Sequence, residues 1–283
     1  MLRCRKSALL LLLALALGCF SPRTDWSAAT REAREAAEPI PVLSTAEPKA
    51  DAKRAYALQR ELVEERLEED RIAGFKAALT STGARLAFGA NEPASGVLFE
   101  KGRRTSDATI EAATLRRPMI EVEIGFVFRE RIDRPLSGVE ELREKLRGIA
   151  PVVEVPETGF VAGEPLVAVD LIAANAGSAV FLVGKERALG KVDPSAITVE
   201  LKRDGKVVSE GRGSDVIGGQ WAGLLWLANA VVEGGYTIEP GQVLITGALG
   251  RPVAGVPGRY EATFGPLDPL AFTLQGRSGA ATP

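Results

Sequence analysis

The chain of 283 residues contains no histidine. That absence rules out Ser-His-Asp and Cys-His nucleophilic sites, and zinc sites built on imidazole. Any metal must instead be held by carboxylates, carbonyls and water, ligands that suit hard ions such as Mg²⁺, Mn²⁺ or Ca²⁺. Acid–base work then falls to Asp, Glu, Lys or Tyr. Cysteine is nearly absent too: Cys4 and Cys19 are the only two. An excess of basic charge is also lacking. The formal net charge is −2, with no basic stripe or basic domain, so no nucleic-acid partner is expected. The one marked apolar run, residues 8–17, is shorter than the roughly 20 residues that span a bilayer.

What is present at the N-terminus is ordered like an export signal. Arg3, Arg5 and Lys6 precede the apolar run, and Leu15-Ala16-Leu17-Gly18-Cys19 closes it. A basic start, an apolar stretch and a small-residue cleavage site make a secretory signal. With Cys at the first mature position it resembles a bacterial lipoprotein signal, although Ala16 stands where Leu is usual. The resemblance implies removal of residues 1–18 and a thioether between Cys19 and diacylglycerol. An ordinary signal peptide with Cys19 incidental is the alternative. Cys4 leaves with the signal, so no intramolecular disulfide remains possible even in an oxidising compartment. A lone exposed thiol there is a liability, and a lipidated one is not. The expected location is the bacterial periplasm or cell envelope, lipid-anchored. Losing Arg3, Arg5 and Lys6 leaves 32 basic against 37 acidic residues, a net charge of −5.

Residues 19–48 are expected to be the lipidated Cys and a flexible tether, rich in Ala, Glu, Pro, Ser and Thr without apolar periodicity. Residues 49–283 are expected to form one domain. Over residues 48–70, Ala55, Leu58, Leu62, Val63 and Leu67 recur at three- and four-residue spacings, which predicts a helix with a solvated charged face. Residues 119–128 alternate partly and predict a strand. Residues 166–172 and 179–183 are short apolar runs of strand type. Asp204-Gly205 predicts a hairpin between residues 197–201 and 206–209. Residues 220–232 predict a helix stopped by Gly234-Gly235. Strands are expected at 242–246, 260–264 and 270–274. The fold class is β-rich α+β with a helical N-terminal segment.

Glu121 and Glu123 are the first chemical candidates. Residues i and i+2 of a strand share a face, so two carboxylates stand about 6.6 Å apart along it. Such a pair repels itself unless a cation or solvent intervenes. Spacing alone favours a solvent-facing acidic strand. Glu154 changes that balance, because it sits in the apolar Ala150-Pro151-Val152-Val153-Glu154, where a bare carboxylate needs a reason. A third carboxylate converging on the pair would make half an octahedral oxygen shell. Lys76, between Phe75 and Ala77, either snorkels to solvent or points inward and needs an anion.

Lys76, Glu121 and Glu123 fall within motifs similar to the 2-keto-4-pentenoate hydratase family. The motifs are Ala55-Tyr56-Ala57-Leu58-Gln59, Gly74-Phe75-Lys76 with Leu79-Thr80-Ser81, Glu92-Pro93-Ala94-Ser95-Gly96, and Arg117-Pro118-Met119-Ile120-Glu121-Val122-Glu123-Ile124-Gly125-Phe126. Further along come Trp226-Leu227-Ala228-Asn229, Pro240-Gly241 with Thr246-Gly247-Ala248, and Phe264-Gly265-Pro266-Leu267. The similarity runs from about residue 50 to the end. This family lies in the fumarylacetoacetate hydrolase superfamily, together with 4-oxalocrotonate decarboxylases. The resemblance implies a mixed β-roll, a Mg²⁺ or Mn²⁺ ion on Glu121, Glu123 and Glu154, and an active-site lysine at Lys76. It implies substrate contacts from Ser81, Asn175 and Ser178, a small unsaturated 2-oxo acid as substrate, and a homo-oligomer.

Four departures bear on activity. Ala94 stands where the hydratases carry Asp. The decarboxylase branch tends to lack that Asp, so Ala94 argues against hydration more than against all activity. Asn175-Ala176-Gly177-Ser178 replaces Asn-Ala-Ser-Ser, and Pro156, Glu157 and Thr158 follow the third glutamate. The export signal is foreign to enzymes that are normally cytoplasmic. The leading reading is a metal-dependent hydratase or decarboxylase, exported and membrane-tethered. The alternatives are an impaired metal-containing binding lipoprotein for a small oxo- or dicarboxylic acid, and a structural lipoprotein.

Overall fold

The computed structural model describes residues 25–36, 38–190, 192–216 and 218–276. The expected signal sequence and Cys19 lie outside the described residues. The described chain is already folded at its first residues. The Asp25 side chain accepts from the amides of Ser27 and Ala28 and caps helix α1, Trp26–Glu35. A short helix α2, Leu43–Ala46, follows. Trp26, Ile40 and Leu43 are buried. The Trp26 indole donates to the Pro41 carbonyl at 3.0 Å, and Ile40 forms a parallel bridge to Phe160. This corrects the expected tether over its described part. Three widely spaced apolar side chains are enough to dock the segment, because burying each contributes roughly 1.5–3 kcal/mol.

Helix α3 is Ala52–Arg66, capped by Asp51, whose carboxylate accepts from Arg54 N at 2.8 Å. Ala55, Leu58, Leu62 and Val63 are buried as the spacing predicts, whereas Leu67 lies past the helix end and is exposed. The remaining elements are β1 (Ile72–Ala78), α4 (Thr82–Ala87), β2 (Ala94–Phe99), β3 (Arg103–Arg104), β4 (Ala108–Glu111) and β5 (Met119–Phe128). Then come α5 (Val139–Glu144), β6 (Leu146–Val155), α6 (Ala168–Ala173), β7 (Val180–Val183), β8 (Thr198–Arg203) and β9 (Lys206–Arg212). Helix α7 (Gly219–Glu233), β10 (Val243–Ile245), β11 (Val253–Ala254), β12 (Gly258–Phe264) and β13 (Leu267–Gln275) complete the chain.

One sheet runs β2-β1-β10-β5-β6-β7-β3, with β11 added to β5, and the other runs β4-β13-β12-β8-β9. Both are mixed: β1 and β10 are parallel, as are β13 and β4, while β5 and β6 are antiparallel. The main core joins one face of the first sheet to the second sheet and α7, through Ile120, Val122, Ile124, Phe126, Tyr260 and Phe272. On the other face a small apolar cluster of Val127, Val152, Phe181, Val243 and Ile245 fills the concave side. The Asp204-Gly205 hairpin joins β8 to β9 as predicted.

Residues 166–172, expected to be strand-like, are instead largely helix α6. The reason is Asp170, fully buried, which accepts from the Val167 amide at 2.8 Å and from the Ser44 amide at 2.7 Å. It stabilises the first turn of α6 and ties it to α2, so a local polar contact overrides a short β-branched run.

Candidate metal centre

Lys76 lies on β1, Glu121 and Glu123 on β5, and Glu154 on β6. Strand β10 separates β1 from β5. In a flat sheet, β1 and β6 would be about 14 Å apart, three strand spacings. Yet Lys76 Nζ lies 2.6 Å from Glu154 Oε2. The two long side chains meet across the concave face of a coiled sheet. Glu121 is paired directly with Glu154 in the β5–β6 register. Ligand oxygens of Glu121, Glu123 and Glu154 all lie within 4.8 Å of one another.

The cluster is dry. Glu123 and Glu154 are fully buried and Lys76 is 2% exposed, with Glu121 partly open. A solvent-facing acidic strand, the reading that spacing alone favours, is therefore not what forms. Glu123 Oε2 accepts from the Gly247 amide at 2.7 Å. Gly247 has φ +105, and a Cβ there would lie 2.2 Å from Thr80 Oγ1, so only glycine brings this amide to the carboxylate. Lys76 Nζ also donates to the Ala176 carbonyl at 3.1 Å. Gly96 pairs with Lys76 in the register, and a Cβ on it would press Lys76 Cγ and the Asn175 carbonyl.

Burial pushes the Glu121 carboxyl up to about 7, with Lys76 opposing and Glu154 assisting the rise. Burial and the neighbouring Glu154 and Glu121 push Glu123 well above the carboxylate range. Burial raises Glu154 as well, against the pull of Lys76. For Lys76, burial alone would lower the ammonium, but Glu154, Glu121 and Glu123 outweigh it and raise it.

Three carboxylates against one ammonium leave two negative charges in excess when all are ionised. Isolated buried charge of that size is not sustained without a counter-charge. Glu123 Oε1 and Glu154 Oε1 are buried and have no hydrogen-bond partner among the described residues. A divalent cation would satisfy both orphaned oxygens and cancel the excess charge. The donor set, oxygen only, suits Mg²⁺, Mn²⁺ or Ca²⁺.

The other expected site residues fall differently. Ser81 is exposed and caps α4, its Oγ accepting from Ala84 N at 3.1 Å. Ser178 is buried beside the turn that holds Lys76. The Asn175 side chain is engaged with β2 at both ends. Its Oδ1 accepts from Val97 N at 2.7 Å and its Nδ2 donates to Val97 O at 2.9 Å. Both ends of the amide brace the turn to β2, because a buried Asn must use its polar atoms where the backbone offers partners. Ala94 shares the Lys76-facing side of β2 with Gly96, two residues on, and lies in an apolar cluster with Leu79, Phe160 and Leu171. Gly247 and the Ala176 carbonyl contribute backbone atoms. A Thr-Gly-Ala stretch beside a strand was the only sign of the first, and nothing in the sequence marks the second.

This fold and site define a known class. The chain belongs to the fumarylacetoacetate hydrolase family: residues 75–276 match the family described as fumarylacetoacetate (FAA) hydrolase C-terminal. Among its relatives, 2-keto-4-pentenoate hydratase of Paraburkholderia xenovorans (strain LB400) is 30% identical over 229 residues, covering 80% of this chain and 85% of the relative. A 4-oxalocrotonate decarboxylase of Pseudomonas putida is 28% identical over 206 residues, covering 72% and 78%. The solved 4-oxalocrotonate decarboxylase from Pseudomonas putida G7, complexed with magnesium and adipate, superposes with a TM-score of 0.83 at 23% identity, covering 88% of this chain and 96% of that one. The same enzyme complexed with calcium and acetate gives 0.82. The α+β roll is thus of fumarylacetoacetate hydrolase type.

Proposed function

We propose that this protein is a divalent-metal-dependent lyase, a hydratase or decarboxylase, acting on a small unsaturated 2-oxo acid. The observation that carries the reading is the meeting of Glu121, Glu123 and Glu154 with Lys76 inside the coiled sheet, with two carboxylate oxygens left without partners among the described residues. The named activities of the relatives support the substrate class. Glu121, Glu123 and Glu154 hold Mg²⁺ or Mn²⁺, which when bound supplies Lewis-acid polarisation of the 2-oxo carboxylate. Lys76 offers a fixed cation to the substrate and can hold or pass a proton at Nζ. Glu154 and the Ala176 carbonyl set its direction. Ser178 lies next to that turn, and Ser81 keeps its hydroxyl proton available while its oxygen caps α4.

We also read the chain as exported and lipid-anchored through Cys19, and as a homo-oligomer. Cys19→Ser is expected to move the protein from the membrane to the soluble fraction. Continued membrane association would remove the anchor.

The second reading, a binding protein that retains the metal without turnover, is favoured by Ala94. An apolar cluster occupies the Lys76-facing side where the hydratases carry Asp. Turnover of 2-hydroxypenta-2,4-dienoate and 2-oxohex-3-enedioate with Mn²⁺ separates the two. It is followed by ultraviolet loss of the conjugated dienol and by CO₂ release. Metal-dependent loss with CO₂ assigns a decarboxylase, and loss without CO₂ a hydratase. No turnover with metal bound leaves the binding protein.

A further inference from the structure

Arg34 stands in the last turn of α1, outside the span matched by the family. Its Nη2 donates to the Ala174 carbonyl at 2.9 Å. Its own carbonyl accepts from Arg116 Nη1 at 3.0 Å. Arg116 Nη2 in turn lies 2.6 Å from Glu157 Oε1, which is 3.9 Å from Arg34 Nε. The backbone completes the ring, because Glu157 N donates to the Gly177 carbonyl at 2.9 Å. Two guanidinium groups and one carboxylate thus hold residues 174–177 at both ends.

That turn is where the Lys76 side chain ends. Lys76 Nζ donates to the Ala176 carbonyl. Asn175, Ala176 and Gly177 have φ of 55°, 50° and 68°, three left-handed residues in succession, of which only the last is glycine. Such a turn persists only where its surroundings over-determine it. The surroundings are the Asn175 amide on Val97, the Glu157 backbone on Gly177, and Arg34 on Ala174. The Ala174 carbonyl also accepts from Gly177 N at 3.2 Å, so the contact that closes the turn and the contact to α1 share one oxygen.

We propose that Arg34 is a positioning residue for Lys76: through the Ala174 carbonyl it fixes the turn whose Ala176 carbonyl holds the ammonium against Glu154. This deepens the lyase reading of the same site. It also makes the helix nearest the N-terminus of the described chain a part of that site, although α1 contributes no group to the metal cluster.

The test is residue-specific acylation of lysines with acetic anhydride in the folded full-length protein, read by mass spectrometry. Lys101, 61% exposed, is the internal reference. Arg34→Ala is expected to raise the Lys76 rate relative to Lys101 by about tenfold or more, as a locked group becomes locally open. Arg31→Ala is the control. It removes the 3.1 Å ion pair between α1 and Glu65 of α3 without touching the turn, and it should leave the Lys76 rate unchanged. Arg34→Met, which keeps the packing of the stem, replaces Arg34→Ala if the alanine variant is insoluble. A wild-type Lys76 rate in the folded Arg34 variant, or equal acceleration by Arg31→Ala, overturns the proposal. The measurement needs neither metal nor substrate, so a wild-type protein without turnover would defeat the lyase reading and leave this result standing.

Discussion

Glu121 and Glu154 face each other across the β5–β6 ladder as direct partners, Glu154 fully buried and Glu121 partly open. Like charges opposite one another destabilise a sheet. The pairing is therefore informative about what the site holds. Glu121→Gln or Glu154→Gln is expected to weaken Mg²⁺ and Mn²⁺ binding by more than about 100-fold, beyond the loss seen when outer partners of a metal ligand are removed. Titration calorimetry or Mn²⁺ electron paramagnetic resonance reads the affinity. Wild-type affinity in both variants would defeat the metal assignment.

The same burial predicts an unusual pH dependence of stability. Glu121 has its folded pKa raised to about 7 from an ordinary value of 4.5. Between those values the unfolded chain has released the proton and the native chain retains it. Stability of the metal-free protein therefore falls as pH rises through this window. The Glu141 carboxyl, held down to about 2 chiefly by hydrogen bonds from Ser137, titrates below it and does not obscure the trend. The metal-free melting temperature is expected to drop between pH 5 and pH 8. Saturating Mg²⁺ should recover most at the higher pH, because metal binds the ionised form. A metal-free melting temperature that rises across this window would contradict the raised Glu121 carboxyl.

Gly96 sits against Lys76, and its replacement tests how tightly the lysine is held. A Cβ at this position would lie 2.9 Å from the Asn175 carbonyl, 3.1 Å from Ala176 Cβ and 3.2 Å from Lys76 Cγ. Gly96→Ala is expected to cost about 1–3 kcal/mol, the usual penalty of overpacking, and to lower turnover by displacing the ammonium. Denaturant unfolding measures the first effect. Unchanged stability would mean that the turn of residues 174–178 yields without resistance.

How far the sequence displays all this can be judged residue by residue. The alternation around Glu121 and Glu123 places both on one strand face, and the apolar run around Glu154 marks a carboxylate that needs a partner. Their convergence with Lys76 is not visible, because it depends on the coiling of a sheet in which β1 is joined to the β5–β6 pair through β10, a strand more than 80 residues later in the chain than β6. Asn175 is recognisable as polar and local to the site. That its amide is used on Val97 follows from the path of β2, which no spacing reveals. The α1 segment buries Trp26, Thr30 and Ala33 at helical spacing, but only Trp26 among them is large and apolar, so the period is faint in the sequence, and its docking comes from Trp26, Ile40 and Arg34 meeting distant parts of the chain. Residues 166–172 show the reverse problem, since a run of four to eight apolar residues does not by itself distinguish strand from helix.

The docking of α1 can be tested through Trp26, which is 2% exposed and hydrogen-bonded to the Pro41 carbonyl. An indole buried in this way joins Leu58, Leu62 and Phe160 in the cluster between α1, α3 and α6. Trp26→Ala is expected to destabilise the protein by about 3–5 kcal/mol, the range for removing a large aromatic side chain from a core. A chain in which residues 25–48 were a loose tether would lose almost nothing. Equilibrium unfolding in urea, followed by far-ultraviolet circular dichroism so that the lost indole does not change the probe, separates the two. A change below about 1 kcal/mol, the scale of a surface substitution, would return this segment to a tether and withdraw α1 from the account of the site.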